Sequence, residues 1–563
     1  MNADHHGAIV ALLAVLVLCA ACSSEPEPNP EIDVQASSLP ACSAPGAPGF
    51  DDGLPGSGVG FVHRLFDTAG EVDPFRGAFG AGVVAADLDD DGHIDLFFPQ
   101  EDGADDLYWG LGGARFEQAT SDHVLRSGAA DAWQMYANVA DFDGDGLLDL
   151  LVTGRSTIRL FRNDGGREFT DVTETLELQQ PAHYPGGSAW GDFDGDGDLD
   201  LFVGNYGVPE TGSQANQNGP EVVPSKLYRN DGAQVFRDVS EYIPWTEGSY
   251  GACLQASWRD LDDDGDLDLM QVNDFGPWKG TTMLWENGGA GEGNAWHWTD
   301  RLPGSGIGVL EYPMGSSFAD FDGDGILDLW LSDIGKNRVL RGLGDWQWLD
   351  VGVAWALDVL DQPSDVSWAV VDVDIDGDGR LDVFVNYGPH QPNPPEDPSE
   401  PWAEFQADRL LRSNPDEDGN PRFELLEDAF PAPQTGNARG TASADLDGNG
   451  VPDLVTGNLG GPPSLLLGRC TDAARLVVEL RQPGDANVFA IGARVQIEAM
   501  GRVQRQELSA GGRGSFSGSQ PRLYFGLGAA TRVDVLQVTW PDGTTHSVTD
   551  LCPDCQVRLT RRD

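Results

Sequence analysis

Short apolar runs of two or three residues recur along most of this chain: Leu96-Phe97-Phe98, Leu150-Leu151-Val152, Leu201-Phe202-Val203, Leu269-Met270, Leu329-Trp330-Leu331, Val383-Phe384-Val385 and Leu454-Val455. Each is too short for a helix and is bounded by Gly and Asp, so each predicts a buried β-strand. A second unit follows in several places. Leu160-Phe161-Arg162-Asn163-Asp164-Gly165 leads to Phe169-Thr170-Asp171-Val172, and Leu227-Tyr228-Arg229-Asn230-Asp231-Gly232 leads to Phe236-Arg237-Asp238-Val239. Both read as strand, Asn-Asp-Gly turn, strand, which is a hairpin. Weaker copies lie at Leu107-Tyr108-Trp109 and Val339-Leu340-Arg341.

Every apolar run is preceded by the same polar loop, D-x-D-x-[DN]-G-x-x-D, starting at Asp87, Asp141, Asp192, Asp260, Asp320, Asp374 and Asp445. The intervals of 51 to 71 residues exceed a solenoid turn and suit a propeller blade of four strands. The expected blade is an inner strand entered through the Asp loop, then a hairpin towards the rim. One blade cannot bury both faces, whereas seven around an axis can, and ring closure protects the sheet edges. The segment 58–63 is the expected closing strand. After the repeats, alternating strands with Gly-rich turns predict a small β-sandwich. The fold class is therefore all-β: a seven-bladed β-propeller with calcium loops, followed by a small β-sandwich domain.

Charge changes the picture more than size. The net charge of −58 makes nucleic acid and anionic lipid poor partners. Sixteen Trp and 24 Phe among the acids argue against disorder, so the acids are better read as ligands for hard cations. Calcium takes six to eight oxygens at about 2.3–2.6 Å in flexible geometry. Positions 1, 3, 5 and 9 of each loop supply them: Asp87, Asp89, Asp91 and Asp95; Asp141, Asp143, Asp145 and Asp149; Asp192, Asp194, Asp196 and Asp200; Asp260, Asp262, Asp264 and Asp268; Asp320, Asp322, Asp324 and Asp328; Asp374, Asp376, Asp378 and Asp382; Asp445, Asp447, Asn449 and Asp453. Position 7 offers a main-chain carbonyl, from His93, Leu147, Asp198, Asp266, Ile326, Arg380 or Val451. Position 6 is Gly in all seven loops, for a sharp turn at positive φ. Asn449 drops one charge, so the seventh loop is the expected weak site. Up to seven calcium ions are implied. An EF-hand would need Glu at position 12, which here is Phe98, Val152 or Val203. Magnesium prefers a near-ideal octahedron, and zinc prefers His and Cys.

The apolar run 9–21 has signal-peptide length and ends in Leu18-Cys19-Ala20-Ala21-Cys22. It resembles a bacterial lipoprotein box with Cys22 lipidated, although the first seven residues lack Lys and Arg and Cys19 replaces the usual leucine. The organisation read from the chain is 1–22 signal peptide and lipidated cysteine, 23–49 Pro/Ser/Glu-rich tether, 50–469 propeller and 470–563 β domain. Export permits disulfides. Cys42 and Cys470 flank the repeats and would pair if the ring closes; Cys552 and Cys555 form a terminal C-x-x-C, read as a small staple; Cys253 reads as a buried thiol.

With their strand and hairpin context, the loops resemble the FG-GAP/VCBS repeats of integrin α-chain propellers and related bacterial surface proteins, over about residues 58–469. That resemblance implies calcium at the matching aspartates. Arg475-Leu476-Val477-Val478-Glu479-Leu480, Ala490-Ile491-Gly492-Ala493-Arg494-Val495, Gly514-Ser515-Phe516-Ser517-Gly518-Ser519-Gln520, Tyr524-Phe525-Gly526-Leu527-Gly528 and Val538-Thr539-Trp540-Pro541-Asp542-Gly543 look like the ASPIC/UnbV domain. The combination resembles the cartilage acidic protein family in a bacterial lipoprotein form, without an EGF-like cysteine pattern.

The functional expectation is an exported calcium-binding propeller: a monomeric, non-catalytic binding, adhesion or scaffold module at the cell surface. Its partner is a protein or glycan, it binds no nucleic acid, and it meets the membrane only through a lipid anchor. Residues 208–225 and 389–404 are candidate contact loops. The alternative is a carbohydrate-active or other extracellular hydrolase or lyase. No G-x-S-x-G, H-E-x-x-H or Walker loop supports it, and the histidines are scattered. A cluster of His, Arg and aromatic residues in the central channel, away from the calcium loops, would favour it.

Overall fold

The computed structural model describes residues 32–562, except 43–44, 66–78, 127–133, 156, 179–183, 208–221, 233–234, 247–249, 292–295, 358–361, 390–405, 418 and 512–513. Cys22 and most of both candidate contact loops lie outside the described residues.

Seven sheets each carry four antiparallel strands and one Asp loop. Their innermost strands are Val84–Ala86, Gln134–Ala140, Tyr184–Gly191, Ala252–Arg259, Ser316–Ala319, Ser367–Val373 and Ala438–Ala444, here numbered as blades one to seven. They touch in cyclic order, with the fourth and fifth joined by Gln255 Nε2 donating to Ser316 O and Ser316 N to Gln255 Oε1. Large apolar clusters fill the spaces between blades; one runs from Phe97 and Trp109 through Phe161 to Trp190 and Tyr228.

Two expectations about the blade are corrected. The innermost strand precedes the Asp loop and the apolar run after the loop is the second strand, as in the pairing of Ala140 with Asp149 and Ala137 with Val152. The innermost strands mix small residues such as Ala85, Ala137, Ala189, Ala256 and Ala442 with polar and aromatic ones, so most lack the short apolar run that marks the second strand in sequence. The ring is also not closed by 58–63. Phe50–Asp52 supplies the outermost strand of blade seven, paired with Ser464–Gly468. Phe50 is fully buried, stacked on Phe430 at 5.9 Å, and this burial selects it. The Gly-rich stretch after it bonds both blade one and blade seven instead, Phe116 N donating to Ser57 O and His63 N to Gly461 O.

The C-terminal region is a sandwich of two four-stranded sheets. One contains Arg502–Glu507, Arg494–Ala499, Val533–Thr539 and Thr545–Leu551; the other contains Ile32–Ser38, Cys555–Arg561, Ala474–Arg481 and Leu523–Gly528. Residues 32–38 are thus an edge strand of the sandwich rather than tether, with Ile32 buried in its core. Cys42 and Cys470 are joined by a disulfide with Cα atoms 5.9 Å apart, where blade seven hands over to the sandwich. The terminal staple is corrected: Cys552 and Cys555 are thiols. Cys555 opens a strand paired with Ser38 and Leu476 and is fully buried in the core.

A segment of the sandwich leaves it and enters the propeller. Ala510 O accepts from Trp190 N, Gly514 O from Thr441 N and Phe516 O from Ala137 N. Gly518–Ser519 adds a short parallel strand to Val84 and Ala85 of blade one. The Phe516 ring, 4.5 Å from Tyr136 and 6.0 Å from Trp368, completes an axial cluster with Phe79, Tyr206, Leu254 and Met314.

Candidate metal centres

Each Asp loop folds into the same cradle. Residue 4 of the loop has positive φ: Gly in five loops (φ 70–78°), Asp90 (57°) and Asp263 (63°) in the other two. The position-6 glycines lie at 81–101°. These two left-handed residues turn the main chain back over the position-1 carboxylate. In loop two, Asp141 Oδ1 accepts from Gly144 N and Asp145 N and Oδ2 from Gly146 N, while Asp145 Oδ1 accepts from Leu147 N. Loops five and six repeat the position-1 and position-5 bonds. In the seventh, Asn449 Oδ1 serves in place of the carboxylate, accepting from Val451 N.

Position 9 has a further duty. Asp149 Oδ2 accepts from Phe142 N at 2.9 Å and Oδ1 from Asn163 N at 2.7 Å, tying the loop to the third strand of its own blade. Asp95, Asp200, Asp268, Asp328, Asp382 and Asp453 do the same. The Asn of the Asn-Asp-Gly hairpins is more than a turn former. Asn230 Nδ2 donates to Leu199 O of its own loop and to Phe142 O in the loop of the preceding blade, and Asn163 and Asn287 do likewise.

Carboxylate oxygens of Asp87, Asp89 and Asp95, of Asp141, Asp143 and Asp149, of Asp260, Asp262 and Asp268, and of the first three aspartates of loops three and five converge to within 4.8 Å of one another. This crowding is costly to charge. Burial, then the neighbouring carboxylates, pushes Asp141 and Asp192 up to about 7 and Asp374 up to about 8. Asp194 Oδ1, Asp260 Oδ1 and Asp266 Oδ1 are buried without a protein donor. An all-oxygen donor set with orphaned inward-facing oxygens fits a hard divalent cation. Arginines of the outer hairpins cap the cradles: Arg341 Nε donates to Asp322 Oδ2 at 2.5 Å and Arg167 Nε to Asp89 Oδ2 at 2.5 Å.

All seven loops lie on one face of the ring, and the sandwich is seated on them. Its Gln520, Tyr524, Arg505 and Arg502 bond loops one, seven, five and six: Asp87 N donates to Gln520 Oε1, Asp445 N to Tyr524 Oη, Arg505 Nη1 to Gly325 O and Arg502 Nη1 to Asp378 O. Arg494 Nη1 bonds loop four, at 2.6 Å from Asp260 Oδ2 and 2.8 Å from Asp263 Oδ1. At loop two, a Cβ on Gly144 would stand 2.8 Å from Ala486 Cα; at loop three, one on Gly197 would stand 3.2 Å from Asp485 Oδ1. Clefts of about 510 and 520 Å³ open at the seam, beside loops one and seven and beside loops five and six. The seating residues were not singled out from sequence. Arg494, Gln520 and Tyr524 fall in the motifs quoted for the C-terminal domain, and Asp263 stands where most loops have Gly.

The central channel does gather His, Arg and aromatic groups, on the side away from the loops. Arg439 lies 3.9 Å over Trp368 and donates to Asn437 Oδ1, Ala438 O and Pro389 O. His63 is buried, and burial first, then Arg439 and Arg64, pulls it down to about 3. Tyr206 donates to buried Asp274 at 2.8 Å. Arg439 and Tyr206 are bonded within the axis, whereas His63 Nε2 is buried there without a partner among the described residues.

Fold and loops together define an FG-GAP-type propeller joined to an ASPIC/UnbV domain. Residues 87–152, 141–203 and 320–385 match the FG-GAP-like repeat family, and 484–563 match the ASPIC and UnbV family. The chain is similar to cartilage acidic protein 1 of Mus musculus, at 24% identity over 498 residues, 82% of this chain and 70% of that protein. The Homo sapiens protein of the same name matches at 24% identity, with 82% and 69% covered. Among solved structures, an Agrocybe aegerita lectin described as recognising non-reducing terminal N-acetylglucosamine aligns with TM-score 0.38 and 15% identity, covering 77% of this chain and 95% of its own. The BP39L lectin of Burkholderia pseudomallei aligns with TM-score 0.38 and 12% identity, covering 68% and 98%.

Proposed function

We propose that this chain is an exported calcium-binding propeller that serves as a non-catalytic binding, adhesion or scaffold module at the cell surface. The observation that carries the reading is one oxygen-only cradle built seven times, with acids crowded beyond what their own hydrogen bonds relieve. Calcium supplies the missing positive charge, held by positions 1, 3, 5 and 9 and the position-7 carbonyl. Asp198 and Asp266, at position 7, add carboxylates to their loops. The axial grouping of His63, Arg439 and Trp368 is the one observation that favours the alternative, an extracellular hydrolase or lyase. The face opposite the sandwich, where the strands Asp200–Gly207 and Asp382–Tyr387 end, is the surface we assign to a protein or glycan partner.

Native mass spectrometry of the full chain with added calcium tests the metal reading: up to seven ions are expected, and no retained calcium would refute it. Pull-down from matrix or glycan arrays, with calcium and with chelator, tests the module reading.

A further inference from the structure

We infer that the Asp-loop face is a calcium-gated seat for the C-terminal sandwich, so that cation binding decides whether the sandwich and its axial segment stay docked. This rests on the calcium reading above.

The seat is made from the cradles themselves. In loop six, three successive carbonyls are read by the sandwich side: Asp376 O accepts from Thr471 Oγ1, Gly377 O from Gly528 N and Asp378 O from Arg502 Nη1. Gly526 packs so closely that a Cβ would stand 2.0 Å from Asp374 Oδ2. These contacts require the loop in its folded-back form, which a bound cation enforces and mutual repulsion of three carboxylates opposes. In loop four, Arg494 takes Asp260 Oδ2 while Asp260 Oδ1 stays buried and without a donor. One carboxylate therefore faces the guanidinium with one oxygen and the cation position with the other. At loop three the interface brings like charges together: Asp485 of the sandwich lies against Gly197, beside Asp196 and Asp198. That junction is repulsive unless a cation lies in the loop. The axial segment is drawn in by the same docking, since its bonds to Trp190, Thr441 and Ala137 are made only with the sandwich seated.

The test uses the full chain, comparing calcium with chelator by hydrogen exchange of residues 509–521, with calcium occupancy followed by native mass spectrometry. Exchange in this segment is expected to quicken at least about tenfold on chelation, more than in the sandwich strand Val533–Thr539. Asp263→Asn removes the carboxylate charge shared by Arg494 and Arg505 without removing a coordinating position, and is expected to quicken exchange with calcium still bound. Asp485→Asn relieves the like-charge junction and is expected to shrink the difference between calcium and chelator. Bound calcium with unchanged exchange on its removal would overturn the seat while leaving the metal reading intact. No bound calcium in any condition would overturn both.

Discussion

At the residue scale, the loop aspartates divide between coordination and construction. On the calcium reading proposed above, position 3 acts through the cation, whereas position 9 also accepts from two main-chain N–H groups. Asp149→Ala orphans buried Phe142 N and Asn163 N, at a cost of roughly 2–5 kcal/mol, and is expected to lower the melting temperature with or without calcium. Asp143→Ala is expected to lower it only when calcium is present, so thermal unfolding of both variants in calcium and in chelator separates the roles. The raised carboxyls give a pH signature. Asp141 and Asp192 near 7 and Asp374 near 8 lie above the ordinary value of 3.8, so the ion-free folded chain binds protons that the unfolded chain lacks. Its stability in chelator should fall as pH rises from about 4 to about 8. Calcium must displace those protons, so its apparent affinity should weaken as pH falls below about 7. Unfolding curves in chelator across this range, and calcium titrations at both ends, check the two signs.

At the element scale, a blade is held by bonds that its strand pattern does not announce. The apolar runs and the Asn-Asp-Gly turns were legible because burial and turn chemistry leave local marks. The innermost strands were not, because they mix small, polar and aromatic residues with no shared motif. The inter-blade reach of Asn163, Asn230 and Asn287 was equally hidden: the sequence shows a turn residue, and only the neighbouring blade supplies the second carbonyl. Between sandwich and ring, Gly526 is the sharpest contact. Gly526→Ala is expected to push the strand Leu523–Gly528 off loop six at a cost of about 1–3 kcal/mol, seen as a lower melting temperature, with a smaller effect in chelator if the seat is already loosened.

At the scale of the whole molecule, the two domains share one structure. Val488, Phe489, Ile491 and Ala510 of the sandwich belong to the apolar cluster of blades one to three, and Phe516 completes the axis. The Cys42–Cys470 bridge spans 428 residues and pins both chain ends of the propeller beside the sandwich. Removing it, as Cys42→Ser with Cys470→Ser, is expected to cost roughly 2–5 kcal/mol, read as a lower melting temperature in oxidising buffer. The double variant should be insensitive to mild reductant where the parent is not.

The chain by itself determined the repeat count, the strand-and-hairpin rhythm, the cradle residues and the sandwich that follows, because each leaves a short-range pattern of charge, glycine and apolar spacing. Tertiary structure alone decided which strand lies at the axis, that Phe50 closes the ring, that residues 32–38 join the sandwich, and that the sandwich sits on all seven loops. Those outcomes depend on space shared by residues hundreds of positions apart, and no local pattern records which surfaces remain to be buried once the blades have closed.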